Sequence, residues 1–144
     1  MKAQDLMTTN PACCTPSSTV REAAQMMRDH DCGCVPVVEG ESKRVVGVMT
    51  DRDIACRCVA EGKSPDTPVR DIMTTNPQCC HPEDDVAAVE QIMIEAQVRR
   101  VPVVDAKAYC VGMIAQADLA LNGEAASDRD VGRVVARISE PSRH

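Results

Sequence analysis

The sequence predicts an α/β fold built twice, and three observations carry that expectation. Residues 5–16 recur at 71–82, and aligning 5–38 with 71–104 at an offset of 66 gives 16 identities in 34 pairs. In each copy a helix-period stretch precedes two short apolar runs, an order that suits a small sheet with flanking helices. After a one-residue deletion in a turn, Val46-Gly47 matches Val111-Gly112 and Asp53 matches Asp118, so the duplication runs nearly the length of the chain.

Each copy opens with Asp-apolar-Met-Thr-Thr-Asn-Pro, whose Asn-Pro is a turn signal, and continues into a short extended piece, Ala12 to Thr15 or Gln78 to His81. A helix follows. Val20, Ala23, Ala24 and Met27 fall on one face in the first copy and Val86, Val89 and Met93 in the second, with Ser17 or Ser18, and Asp84, placed to cap them. Two strands come next, Val35 to Val38 and Val45 to Met49, mirrored by Val101 to Val104 and Cys110 to Ile114. Polar turns join them at Glu39 to Arg44 and at Asp105 to Lys107. Pro36 and Pro102 have no N–H to give a central ladder, so their strands are expected at an edge or pairing mainly on one side. A second helix starts near Asp51 and near Gln116. The expected division is residues 1–62 and 71–124 as two domains, a linker at 63–70, and a C-terminal helix and tail over 125–144. That last helix has Ser127 and Asp130 at cap spacing and Val131, Val134, Val135 and Ile138 on one face, suited to the protein's own core or an identical subunit.

Composition narrows the functional classes. With no Trp, no Phe and only Tyr109, against eight Met and nine Cys, the core must be aliphatic and sulfur-filled. A formal charge of −6 argues against general nucleic-acid binding, which needs a basic surface to displace phosphate counterions. No apolar run approaches the ~20 residues that span a bilayer. The N-terminus lacks a signal-peptide apolar region, so the expected location is the cytoplasm, with the cysteines as reduced thiols. No Ser-His-Asp, Cys-His or paired-carboxylate arrangement is legible, and the expectation is a non-enzymatic protein.

The stretch Gly47-Val48-Met49-Thr50-Asp51-Arg52-Asp53 hands a strand to a helix N-terminus. Such a corner can favour an anionic or hydroxyl-rich ligand, or Thr-x-x-Asp can simply be the reciprocal cap that starts a helix. The second copy keeps Asp118 but has Ala115 in place of threonine, and a reciprocal cap needs the threonine, which favours the ligand reading.

Asp-apolar-Met-Thr and Val-Pro-Val-Val, each in two copies, followed by Gly-Val-Met-Thr-Asp-Arg-Asp in the first and Gly-Met-Ile-Ala-Gln-Ala-Asp in the second, over residues 3 to 122, resemble a tandem pair of CBS domains, a Bateman module, of the small stand-alone bacterial kind that includes the hypoxic-response type. The resemblance implies two pseudo-twofold-related α/β units, clefts between them that take adenine nucleotides such as AMP, ATP or a related adenosyl compound, and association as a homodimer. It implies that Asp53 and Asp118 accept from ribose hydroxyls, one per cleft, with Thr50 beside Asp53. Arg99 and Arg100, where the first copy has Gly33 and Cys34, are the residues it offers to phosphate, and arginine can grip phosphate bidentately. It also implies a base resting on Ala12, Cys32 and Gly33 in the Asp118 cleft, and on Gln78 and Val98 in the Asp53 cleft, with no aromatic in either set and so a modest affinity. No cofactor beyond such a ligand is expected, and the regulated partner is left unnamed.

The cysteines give the competing reading. Cys13-Cys14 and Cys79-Cys80 are equivalent pairs, Cys32-x-Cys34 and Cys56-x-Cys58 add two more, and Cys110 stands apart. Soft thiolates could hold zinc or an iron-sulfur cluster, yet no Cys-x-x-Cys occurs and neighbours on a strand face opposite ways, so no metal site is assigned. Buried thiols can act as small hydrophobes, and an exposed thiolate can respond to oxidant. The alternative function is therefore a cysteine-based redox or metal-responsive stress protein with vestigial clefts; a dimeric scaffold with no small ligand is the third.

Overall fold

The computed structural model describes residues 1–121. Its elements alternate as the apolar periods direct: α1 (Ala3–Leu6), β1 (Thr8–Thr9), α2 (Val20–Asp29), β2 (Cys34–Glu39), β3 (Arg44–Thr50), α3 (Asp51–Asp53) running on as a π-helix over Ile54–Val59, β4 (Thr74–Thr75), α4 (Val86–Ala96), β5 (Arg100–Val104), β6 (Cys110–Ala115) and α5 (Gln116–Leu121). The strands and helices expected within the described residues are present, each strand a residue or two longer than its apolar run. The C-terminal helix expected at 127–139 lies outside the described residues.

The chain folds as two compact units, and they do not follow the sequence repeats. One contains Met1–Thr9, Gln78–Ala106 and the chain from Val111; the other contains Asn10–Pro77 and Lys107–Cys110. In the first unit the sheet order is β1-β6-β5, and in the second β2-β3-β4. Each sheet thus takes as its short edge strand the Met-Thr-Thr segment that opens the other repeat. Thr8 and Thr9 pair antiparallel with Met113 and Gly112, while Thr74 and Thr75 pair with Val48 and Gly47.

Glycine suits both contacts because the incoming segment lies where a side chain would stand, its backbone at Gly47 and chiefly its methionine side chain at Gly112. A Cβ at Gly47 would meet the Thr74 carbonyl oxygen at 2.7 Å; one at Gly112 would meet the Met7 sulfur at 2.6 Å and the Thr8 carbonyl oxygen at 3.0 Å. The repeated Asp-apolar-Met-Thr and Gly-containing motifs are therefore two halves of one joint.

The exchange extends into both cores. Ala3 and Leu6 pack with Val86, Val89, Met93, Val101, Val103 and Ile114. Val69 and Ile72, which open the second repeat, pack with Val20, Ala23, Met27, Val35, Val37 and Met49. Backbone bonds fix the same exchange: Ala3 N–H donates to Asp84 O (2.8 Å), and Val69 N–H to Ser18 O (2.7 Å). Burying such apolar side chains contributes about 1.5–3 kcal/mol each, so the borrowed segments are integral to the units that hold them.

Pro36 and Pro102 lie in β2 and β5, each at the end of its three-strand order. Their carbonyls accept from Cys14 N–H (3.0 Å) and Cys80 N–H (2.9 Å), which adds a one-residue parallel bridge beyond each edge. Two local expectations need correction. Ala24 is exposed, and only Val20, Ala23 and Met27 of its face are buried. The helix caps are one residue later than expected. Thr19 caps α2 by accepting from Glu22 N–H, and α4 starts after Asp85. Ser18 and Asp84 instead accept from Thr15 N–H (3.0 Å) and His81 N–H (2.9 Å), closing the turns before the helices. A short oxygen-bearing side chain serves either role, and sequence spacing alone does not separate them.

The two Asn-Pro turns put Asn10 and Asn76 at φ +47° and +50°. Asparagine adopts this left-handed region more readily than most residues. No helix among the described residues is long and apolar enough to cross a membrane.

Candidate functional site: two strand-to-helix corners

In the second unit β3 ends at Thr50, whose extended backbone (φ −108°, ψ 160°) turns directly into α3. The Thr50 hydroxyl accepts from Asp53 N–H at 3.0 Å, and the Asp53 Oδ2 accepts from Thr50 N–H at 3.0 Å, a complete capping box. The carboxylate is buried, 8% exposed. Thr74, delivered by the exchanged strand β4, donates its hydroxyl to Asp53 Oδ2 at 3.3 Å, and Arg57 Nε stands 3.8 Å from Oδ1. Arg57 also donates to the Ile72 and Met73 carbonyls, both at 3.3 Å, and so spans from the carboxylate to the segment leading into β4. Oδ2 is committed to two close donors, whereas Oδ1 has only the long Thr74 approach at 3.5 Å and the distant guanidinium. A carboxylate oxygen has two lone pairs, so Oδ1 keeps capacity for an incoming hydroxyl.

In the first unit β6 turns into α5 at Ala115. Asp118 Oδ2 accepts from Ala115 N–H at 2.7 Å, which is half of the same box. This corrects the inference that losing the threonine weakens the capping reading: the aspartate caps without it. Gln116 N–H donates to Arg99 O (2.7 Å), and the equivalent Asp51 N–H donates to Gly33 O (2.9 Å). These bonds draw the residues before β5 and β2 to the two corners. Arg99 is exposed and Arg100 half-buried beside the Asp118 corner, whereas Gly33 and Cys34 hold the same places beside Asp53.

The structure therefore brings Thr50, Asp53 and Gly33 together in one unit, and Arg99 and Asp118 in the other, with Arg100 following Arg99 and Cys32 and Val98 each one residue before these clusters. Ala12 belongs to the second unit and Gln78 to the first. The expected sets of Asp118 with Ala12, Cys32 and Gly33, and of Asp53 with Gln78 and Val98, each combine residues of both units. Gln78 lines a shallow cavity of about 180 Å³ with Ile92, Glu95 and Ala96. Sequence reading missed Thr74 and Arg57. Both had a signal: Arg57 is four residues past Asp53, a helical neighbour, and Thr74 is the threonine of the repeated Met-Thr.

None of the nine cysteines is in a disulfide; Cys14, Cys34, Cys58 and Cys80 are buried and Cys56 is exposed. Burial pushes the Cys14 thiol up to about 11, helped by the neighbouring Cys13 charge. Burial likewise pushes Cys80 up to about 12, with Asp84 and Cys79 adding to it. Among the described residues, no three His, Cys, Asp or Glu side chains gather as a metal would require.

The CBS-domain family model matches residues 3–58 and 69–122. The chain belongs to the CBS-domain family. It is 38% identical over 141 residues to the CBS domain-containing protein YhcV of Bacillus subtilis, covering 98% of this chain and 97% of that protein. Among solved structures it is similar to Hypoxic Response Protein I, determined with two coordinated zinc ions, at 32% identity and a TM-score of 0.76, covering 84% of this chain and 98% of that one. It is also similar to the CBS domain pair of protein MJ0100, determined with 5′-methylthioadenosine and S-adenosyl-L-methionine, at 26% identity and a TM-score of 0.78, covering 86% of this chain and 97% of that one. The α/β class and the tandem pair expected from the repeat are those of the CBS family.

Proposed function

We propose that this CBS pair is a non-enzymatic regulatory module that binds an adenine nucleotide or related adenosyl compound through its two strand-to-helix corners. The observation that carries the reading is Asp53: a buried carboxylate held by Thr50 and Thr74 with Oδ1 still able to accept. Two vicinal ribose hydroxyls suit such an acceptor, and a preorganised one loses little side-chain entropy on binding. The adenosyl ligands of MJ0100 support the class. Asp118 plays the same part at the other corner, and Arg99 and Arg100 beside it favour a ligand that carries phosphate. Binding shifts the module's states by no more than the ligand's difference in affinity between them.

Calorimetry with AMP, ATP, 5′-methylthioadenosine and S-adenosylmethionine tests this. The expected result is heat with the wild type that is lost in Asp53→Ala plus Asp118→Ala. The paired variant Arg99→Ala, Arg100→Ala should weaken AMP and ATP by about tenfold or more, since charge-assisted bonds contribute ~1.5–3 kcal/mol, and leave the phosphate-free ligands unchanged. Unaltered heat in the double aspartate variant, or none with any of the four ligands, would overturn the reading.

A further inference from the structure

Arg57 closes a ring of contacts between the first repeat and the segment that opens the second. It lies on the π-helix that continues α3, and its Nη1 donates to the carbonyls of Ile72 and Met73, both at 3.3 Å. Its Nε stands 3.8 Å from Asp53 Oδ1. Thr74, the next residue along the exchanged segment, returns to the same carboxylate by donating to Oδ2 at 3.3 Å. All five residues belong to the second unit, so the ring ties its β3–α3 corner to the borrowed strand β4.

One side chain can serve both ends because the planar guanidinium presents its Nε and Nη donors along different directions. The end at the carboxylate is left open. At 3.8 Å the Nε and Oδ1 attract each other as charges but are too far apart for a hydrogen bond. A hydroxyl both donates and accepts, so one placed beside this gap can donate to Oδ1 and accept from Nε, each at an ordinary distance of ~2.8 Å. Arg57 is exposed, within reach of a ligand arriving from solvent.

We propose that a ribose hydroxyl at the Asp53 corner bridges Oδ1 and Arg57 Nε, and that Arg57 passes the binding event on to residues 71–75; this rests on the nucleotide reading of that corner. A guanidinium held by the ligand holds the Ile72 and Met73 carbonyls in turn, so the exchanged segment tightens against β3. The segment is also the way out of the unit, whose long stretch ends at Pro77 before the chain enters the other unit at Gln78. The second copy is built differently. At the offset of 65 that matches Asp53 with Asp118, the residue in the place of Arg57 is Asn122, which is shorter and uncharged. The Asp53 corner is therefore the one that reports its ligand through the exchanged strand, and the Asp118 corner binds without this link.

Hydrogen exchange read by mass spectrometry on the full chain tests the link, first without ligand. Arg57→Ala and Asp53→Asn should each speed exchange of 71–75 at least about threefold and leave 34–39 unchanged. The double variant should be no faster than the faster single one, since both changes remove the same contact. The ligand arm uses an Asp118→Ala background, which leaves the Asp53 corner to bind AMP or S-adenosylmethionine. There the ligand should slow 71–75 at least about threefold. Adding Arg57→Ala should weaken binding by about tenfold, the loss of one charge-assisted bond, and abolish the slowing at saturation. Arg57→Lys keeps the charge without the fork and should not restore it. Additive effects in the double variant, or slowing of 71–75 that survives in Arg57→Ala, would overturn this proposal alone. No calorimetric heat from any nucleotide would overturn both it and the nucleotide reading.

Discussion

The two strand-to-helix corners share a backbone and differ in chemistry. At the Asp53 corner, threonine and aspartate complete a reciprocal cap, the exchanged strand adds Thr74, and Arg57 stands behind the carboxylate. At the Asp118 corner the threonine is Ala115, the aspartate caps alone, and arginines replace the glycine and cysteine of the other copy. What duplication preserved is the geometry: the glycine under the incoming strand, the aspartate at the third helical position, the carbonyl that receives the helix's first N–H. What it released is the set of polar groups around that frame. The aspartate is kept for a reason that needs no ligand, so its presence in both copies is not by itself evidence of binding; the proposal rests instead on the partly unspent Oδ1 of Asp53.

The buried thiols are where the two copies agree, and they give the largest expected effect. Cys14 and Cys80 occupy equivalent positions, 3% and 0% exposed, and both are pushed up by burial, to about 11 and about 12. In the unfolded chain each loses its proton near 9.0, so above that pH the native state holds more protons than the unfolded one and stability falls as pH rises. Urea midpoints measured between pH 8 and 11 should decline by an amount equivalent to a few kcal/mol, since each tenfold difference in proton affinity between the two states is worth about 1.36 kcal/mol. Replacing both by valine should flatten the decline. Cys13 acts in the opposite sense: brought down to about 7, it adds stability as pH rises from 7 toward 9. A flat profile through pH 11 in the wild type would contradict the burial account.

The glycines separate the copies more finely. At Gly47 the obstacle to a Cβ is backbone, the Thr74 carbonyl at 2.7 Å, which cannot move without breaking the β3–β4 pairing. At Gly112 the closest obstacle is the end of the Met7 side chain, which can rotate, with the Thr8 carbonyl a tolerable 3.0 Å away. Gly47→Ala should therefore cost about 2–3 kcal/mol and Gly112→Ala about 1 kcal/mol, within the range for overpacking a filled site. Thermal or urea unfolding of the two variants checks the order. Equal costs would mean that the exchanged strands are held less firmly than their pairing indicates.

Much of this frame was legible in the sequence because it is written in short-range terms. Val35 to Val38 and Val45 to Met49 are apolar runs with turns at each end, Pro36 excludes a central strand, and Val86, Val89 and Met93 repeat at helical spacing. The strand exchange was not legible. Met7-Thr8 and Met73-Thr74 carry no local sign of which sheet they join, since a two-residue strand has no period and its partner is set by a glycine far away in sequence. The site was legible at Thr50, Asp53 and Asp118, where cap chemistry and ligand chemistry use the same atoms. It was hidden at Thr74, because that contact depends on long-range pairing. The caps slipped by one residue for a smaller reason: Ser18 and Asp84 could close a turn as well as start a helix, and Thr19 took the cap.

The smallest expected effect tests the capping account itself. Thr50→Ala removes the acceptor for Asp53 N–H and should destabilise by about 1 kcal/mol, the usual cost of losing such a cap. The reverse change, Ala115→Thr, restores to the first unit the hydroxyl that its copy lacks, three residues before Asp118, where the half-box geometry already exists. It should stabilise by about 0.5 kcal/mol, less than the full cap because a β-branched side chain loses χ1 freedom there. Combined in one chain, the two changes touch different units and should add. If Ala115→Thr instead destabilises while leaving nucleotide heats intact, the Asp118 corner is packed around alanine, and its aspartate holds the turn by a route that does not admit the hydroxyl.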